Sequence, residues 1–94
     1  MMPYKVIKTD NFVNNFKKLD NSIKISILKY IKKLELSDNP KAYGKELSGN
    51  MAGLYRFRIN NYRLITKIEE KKLIIYALGL GHRSKIYKIQ TDCC

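Results

Sequence analysis

The sequence is poor in the residues that staple small proteins or build metal sites. Its two cysteines, Cys93 and Cys94, stand side by side at the last two positions. Adjacent cysteines cannot tie distant parts of a fold together, and they lack metal-ligand spacing. Tryptophan is absent and His82 is the only histidine. No apolar run is long enough to cross a bilayer; the longest, Leu73 to Leu80, is far short of a span. Met1 to Asp20 shows no basic start followed by an apolar core, so no secretory signal is expected and the chain reads as cytoplasmic. Acidic residues are also scarce. Eight Asp and Glu face nineteen Lys and Arg, a formal net charge of +11. Such a charge costs self-repulsion and is tolerated where a polyanion is bound, so nucleic acid or an acidic protein partner is the first expectation.

What is present argues for a folded domain. Ninety-four residues with 45% hydrophobic and 29% charged side chains fit one globular core and leave none for a second. The expectation is a single domain over residues 1–91 and a disordered tail over 92–94. Tyr4 to Lys8 reads as a short strand, and Thr9-Asp10 as a helix N-cap. Phe12, Val13, Phe16 and Leu19 then recur at helical spacing, and Asp20-Asn21-Ser22 breaks that helix and caps the next. In Ser22 to Leu36 the apolar residues Ile23, Ile27, Tyr30, Ile31 and Leu34 alternate with lysines along a second amphipathic helix, which Ser37-Asp38-Asn39-Pro40 ends. Lys41 to Gly53 is glycine-rich and reads as a loop, with a short turn at Lys45 to Leu47. Leu54 to Ile59, Tyr62 to Glu69 and Lys72 to Gly79 have the period of strands, joined by Asn60-Asn61 and Glu70-Lys71. The fold class is therefore α+β, a two-helix hairpin packed on a small, mainly antiparallel sheet in the order β-α-α-β-β-β.

The first hairpin carries the chemistry. If Asn60-Asn61 is a two-residue turn, Arg58 faces Arg63, Phe57 faces Leu64 and Ile59 faces Tyr62. Tyr55, Phe57, Ile59, Tyr62 and Leu64 then turn to the helices, while Arg56, Arg58, Arg63 and Lys67 share the other face. Like charges directly opposite one another cost a few tenths of a kcal/mol to about one. No acidic residue occurs between Leu47 and Ile68 to relieve them, so the balancing anion is expected from outside. The chain up to Asn50 uses only lysine, whereas all four arginines lie between Arg56 and Arg83. A guanidinium fork binds phosphate in bidentate fashion and stacks on bases, which a lysine ammonium does not do. The alternative is a merely solvated sheet face. After the last strand, Gly79 and Gly81 are read as a sharp turn that delivers His82, Arg83 and Tyr87 to the end of the sheet. His82 is the one side chain with an ordinary pKa near neutrality, and is either structural or a proton carrier.

LYRFRINNYRLITKI followed by LIIYALGLGHRSKIY resembles the RelE/ParE superfamily of toxins from type II toxin–antitoxin pairs, in particular its RelE-like branch. The resemblance spans Tyr4 to Tyr87. It implies an mRNA interferase: a metal-free, cofactor-free endoribonuclease that cuts mRNA in the ribosomal A site and is neutralised by a RelB-like antitoxin lying over the basic face. By place in the motifs, Arg56 and Arg58 resemble the family's basic pair, Arg63 its phosphate-binding arginine, Arg83 its late arginine and Tyr87 its terminal tyrosine. The implied catalytic set is Arg58, Arg63, His82, Arg83 and Tyr87, with Arg56, Arg58, Lys67 and Lys85 holding RNA. Cleavage by the 2′-hydroxyl needs a base, cations for the phosphorane charge, and an acid for the leaving 5′-oxygen. Relatives carry lysine where Arg56 or Arg58 stands here, and arginine is a poor base. Proton transfer would then fall to Tyr87, His82 or Lys85, or to electrostatic activation. Another branch uses a glutamate before the first meander strand, near Glu46. Two other readings stay open: a ParE-like protein that poisons DNA gyrase without cutting RNA, and a degenerate member that only binds antitoxin or nucleic acid.

Overall fold

The computed structural model describes residues 4–82. Its elements are β1 (Lys5–Lys8), α1 (Asp10–Lys17), α2 (Asn21–Leu36), β2 (Lys45–Glu46), β3 (Leu54–Ile59), β4 (Tyr62–Glu69) and β5 (Ile74–His82), with single 3-10 turns at Pro40–Tyr43 and Gly49–Met51. The strands make one sheet ordered β1-β5-β4-β3-β2, β1 parallel to β5 and all other neighbours antiparallel. The α+β class and the helical hairpin on a mainly antiparallel sheet are as predicted. One strand is added, because Lys45-Glu46, read as a turn, pairs with Arg56 and Tyr55. No described helix is long and apolar enough to cross a membrane.

Both helices cover one face of the sheet. Phe12 from α1 and Ile27, Ile31 and Leu34 from α2 form a core with Phe57, Ile59, Leu64, Ile75, Ala77 and Leu80. The burial of these side chains supplies the driving force, at about 25 cal/mol per Å² of apolar surface. Thr9 caps α1 as expected, its hydroxyl accepting from the Phe12 N–H at 3.3 Å. Asp10 and Lys17 stand at the helix ends that their charges favour. Gly44 fits against β3 so closely that a Cβ there would lie 2.8 Å from the Arg56 carbonyl oxygen and 2.7 Å from the Phe57 ring.

β1 ends at Lys8, but β5 continues to His82, and α1 takes over its open edge. The Thr9 hydroxyl donates to the Ala77 carbonyl at 2.8 Å, the Asn11 amide donates to the Leu78 carbonyl at 2.9 Å, and Asn15 Oδ1 accepts from the Leu80 N–H at 3.0 Å. These side chains stand in for a neighbouring strand. Along the other edge of β5 the pairing slips: Ile65 faces Gly79, whereas Thr66 faces Ala77, leaving Leu78 as the extra residue of a bulge.

Two strand boundaries depart from the sequence reading. The β4–β5 turn is longer than Glu70-Lys71: Lys72 and Leu73 also belong to it, their N–H groups donating to the Glu69 and Glu70 carbonyls, so β5 starts at Ile74. Leu73 closes the turn at φ 56°, a left-handed value that a leucine gives no sequence signal for. Gly79 and Gly81 do not make a sharp turn either. They lie inside β5, whose pairing to β4 runs through His82.

Candidate functional site

Asn60 adopts φ 56°, and the tight turn at Asn60-Asn61 sets the predicted register: Ile59 opposite Tyr62, Arg58 opposite Arg63, Phe57 opposite Leu64 and Arg56 opposite Ile65. With period two, Arg56, Arg58, Arg63 and Lys67 therefore stand on the face away from the helices. A fifth cation joins them. β2 places Lys45 beside Arg56 and Glu46 beside Tyr55, so Lys45 falls on the arginine face and Glu46 on the other. The glutamate near the loop is thus set apart from the arginines. Lys45 was missed because a two-residue strand is too short to show a period.

The cations differ in setting. Arg58, Lys45 and Lys67 are exposed, Arg56 is half-buried, and Arg63 is only 9% exposed. Arg63 Nη1 donates to the Tyr62 carbonyl at 3.4 Å. Gly81 stands opposite on β5 and offers no side chain, so space is left for the guanidinium stem, and Ile65 on the same face is fully buried. The expectation that every balancing anion comes from outside needs one correction. Lys67 Nζ lies 3.6 Å from Glu69 Oε1, an acid just past the acid-free stretch and on the same face.

The two ends of the sheet differ in charge. At the β4–β5 turn, Glu69 and Glu70 pair with Lys67, Lys72 and Lys41. The hydrogen bond to Glu70 holds the Lys41 amine above its ordinary pKa, against a smaller opposing effect of burial. At the β3–β4 turn, Arg58 makes no ion pair with the described residues.

His82 lies at this same end, but its register partner is Tyr62, whose ring it meets edge-on at 5.7 Å. Tyr62 pairs with Ile59, which faces the helices, so His82 is on the helix side and Arg63 is on the opposite face. The Leu78 bulge causes this. Strict alternation from Ile75 and Ala77 would put His82 among the arginines, and the extra residue reverses the phase, bringing Gly79 and Gly81 there instead and Leu80 into the core. Arg83, Lys85 and Tyr87 lie outside the described residues.

A face of arginines on a rigid hairpin can hold a phosphate chain and offset negative charge that develops on it. Comparison with known proteins bears on what that face belongs to. The family described as "ParE toxin of type II toxin-antitoxin system, parDE" matches residues 6–87. The toxin RelG of Mycobacterium tuberculosis is 30% identical over 87 residues, covering 93% of this chain and 99% of the relative. Among solved structures, the RelBE2 toxin–antitoxin complex of Mycobacterium tuberculosis aligns with a TM-score of 0.79 at 27% identity, over 86% of this chain and 99% of the other. The archaeal RelE–RelB complex from Pyrococcus horikoshii OT3 aligns with a TM-score of 0.71 at 26% identity, over 89% of this chain and 99% of the other. The chain belongs to the ParE toxin family, and is a type II toxin–antitoxin toxin of the RelE/ParE superfamily.

Proposed function

We propose that the toxin is an endoribonuclease that cuts mRNA on the ribosome. The observation that carries this reading is the set of five cations, Lys45, Arg56, Arg58, Arg63 and Lys67, on one sheet face. Likeness to RelG and to RelE–RelB complexes supports it. In the proposed reaction the 2′-hydroxyl of one nucleotide attacks the adjacent phosphorus and gives up its proton. The P–O5′ bond then breaks, and the 5′-oxygen takes a proton as it leaves. The products are a 2′,3′-cyclic phosphate and a 5′-hydroxyl, and no metal or cofactor takes part. Arg63 and Arg83 offset the phosphorane charge, with Arg58 beside Arg63; Arg56, Lys67 and Lys85 hold the chain; and Tyr87, His82 or Lys85 moves the protons. Because His82 sits on the helix side, it would serve only RNA that wraps around the β3–β4 end of the sheet.

The partners in this reading are mRNA, the ribosomal A site and an antitoxin that covers the basic face and supplies its counter-charge in the cytoplasm. The test is to express the protein alone and map the 5′ ends of a translated and an untranslated copy of one message. Codon-spaced 5′-hydroxyl ends in the translated copy alone are the expected result. The family's ParE description favours a second reading, inhibition of DNA gyrase. Growth arrest with intact RNA and induced DNA damage would establish it instead, and intact RNA with normal growth would leave a binding-only protein.

A further inference from the structure

Around the corner from the arginine face, between α2 and the end of β3, lies an open groove of 440 Å³. Its walls carry Lys29, Lys33, Ser26 and Tyr30 from α2, and Arg58 and Asn60 from the hairpin. Ser26, Lys29 and Lys33 share one helix face through their spacing of three and four. Lys29 and Lys33 are exposed, and Lys33 Nζ is held 4.2 Å from the centre of the Tyr43 ring and 5.1 Å from that of Tyr30. Among the described residues, Lys29, Lys33 and Arg58 make no ion pair, and the one acid of α2, Glu35, accepts the Val6 N–H on the β1 side.

Three cations converging on a groove with hydroxyl and amide donors match a phosphodiester better than a protein segment. A protein hot spot needs an apolar pocket for an anchor side chain, whereas phosphate binding needs cations and neutral donors. Ile59, which also lines it, is 4% exposed and committed to the core, so the apolar part of the groove is the half-buried Tyr30, flanked by the cations. Arg58 belongs both to the groove and, by register with Arg63, to the arginine face, so the two basic surfaces are continuous around the β3–β4 end.

We propose that this groove is a second phosphate-binding subsite, which holds the RNA backbone flanking the segment on the arginine face. The proposal rests on the RNA reading above, and its test separates the two. The purified full chain is titrated into a labelled single-stranded oligoribonucleotide with 2′-methoxy groups, which it cannot cut, over a range of salt concentrations. Each phosphate contact on a single strand contributes about 0.7 to the slope of log K against log salt. Lys29→Gln with Lys33→Gln should therefore flatten the slope by about 1.4, while Lys8→Gln with Lys71→Gln, an equal charge loss elsewhere, leaves it unchanged. Lys33→Arg, which keeps a cation at that position, should retain the slope that Lys33→Gln flattens. Equal effects of the two double variants would overturn the subsite and leave the RNA reading standing. No RNA binding by the unaltered chain would overturn both. Weakened antitoxin affinity with intact RNA affinity would overturn the subsite in favour of a protein surface.

Discussion

Replacing Arg63 with glutamine should separate activity from stability. Arg63 is 9% exposed, so a destabilised fold would be the ordinary expectation for its loss. Two of its local terms oppose each other. The hydrogen bond from Nη1 to the Tyr62 carbonyl is long at 3.4 Å, and its loss costs about 0.5 kcal/mol. Removing one of two like charges that face each other, Arg58 and Arg63, returns about 0.2–1 kcal/mol. Glutamine keeps the inner part of the stem beside Gly81, so little packing is lost. These two terms together stay within about 1 kcal/mol, and the loss of Arg63's remaining contacts adds to the cost, each 1 kcal/mol lowering Tm by about 4–8 °C in a domain of this size. If Arg63 offsets charge in the transition state, the same change should slow cleavage by about 10²- to 10³-fold. Arg63→Lys, which keeps the charge but not the fork, should fall between the two. The assay pairs a thermal melt with the rate at which a translated message is cut. Unchanged cleavage by Arg63→Gln would refute the assignment, and a rate loss no larger than the unfolded fraction accounts for would refute a role beyond stability.

Three further outcomes follow from the geometry. Gly44→Ala should destabilise the fold by about 1–3 kcal/mol in denaturant titration, because its Cβ would meet both the buried Phe57 ring and the Arg56 carbonyl, which β2 and β4 hold in place. Asn15→Ala should cost about 1–3 kcal/mol by leaving the buried Leu80 N–H unsatisfied, and should speed amide exchange along the end of β5. Tyr30 and Lys41 set an alkaline limit: burial, and then Tyr43, raises the Tyr30 phenol above its ordinary 10.0, and the Glu70 hydrogen bond raises Lys41 above 10.5. A raised folded-state pKa adds stability that is complete below the ordinary value and lost as pH rises through the folded one, so melts should be flat up to about pH 10 and fall beyond it. Tyr30→Phe should weaken that fall.

The parts of the fold legible in the sequence are those set by local period and local chemistry. Thr9 capped the first helix, the second stopped at Ser37, the start of the Ser37-Asp38-Asn39-Pro40 break, and Asn60 took the positive φ that the hairpin needed. That register alone placed Arg56, Arg58, Arg63 and Lys67 together. What escaped was set by contacts distant in sequence. β2 exists because Gly44 lets the chain close on β3, and Lys45 reaches the arginine face only through that pairing. The Lys67–Glu69 pair is the local exception: two residues apart on β4, it escaped only because Glu69 stands just past the acid-free stretch.

The Leu78 bulge shows why such contacts matter to function. Read by alternation, Ile75, Ala77, Gly79 and Gly81 would share a face, which would place two glycines in the core and Leu80 and His82 beside the arginines. One extra residue reverses this: the core gains Leu80, and the arginine face gains two positions without side chains, next to Ile65 and Arg63. The bulge is held from the other side, since Leu78's carbonyl accepts from Asn11 while Thr9 and Asn15 hold its neighbours. The first turns of α1 therefore help decide which residues stand beside Arg63. The surroundings of that arginine therefore depend on three polar side chains more than 60 residues away in sequence from the strand they hold.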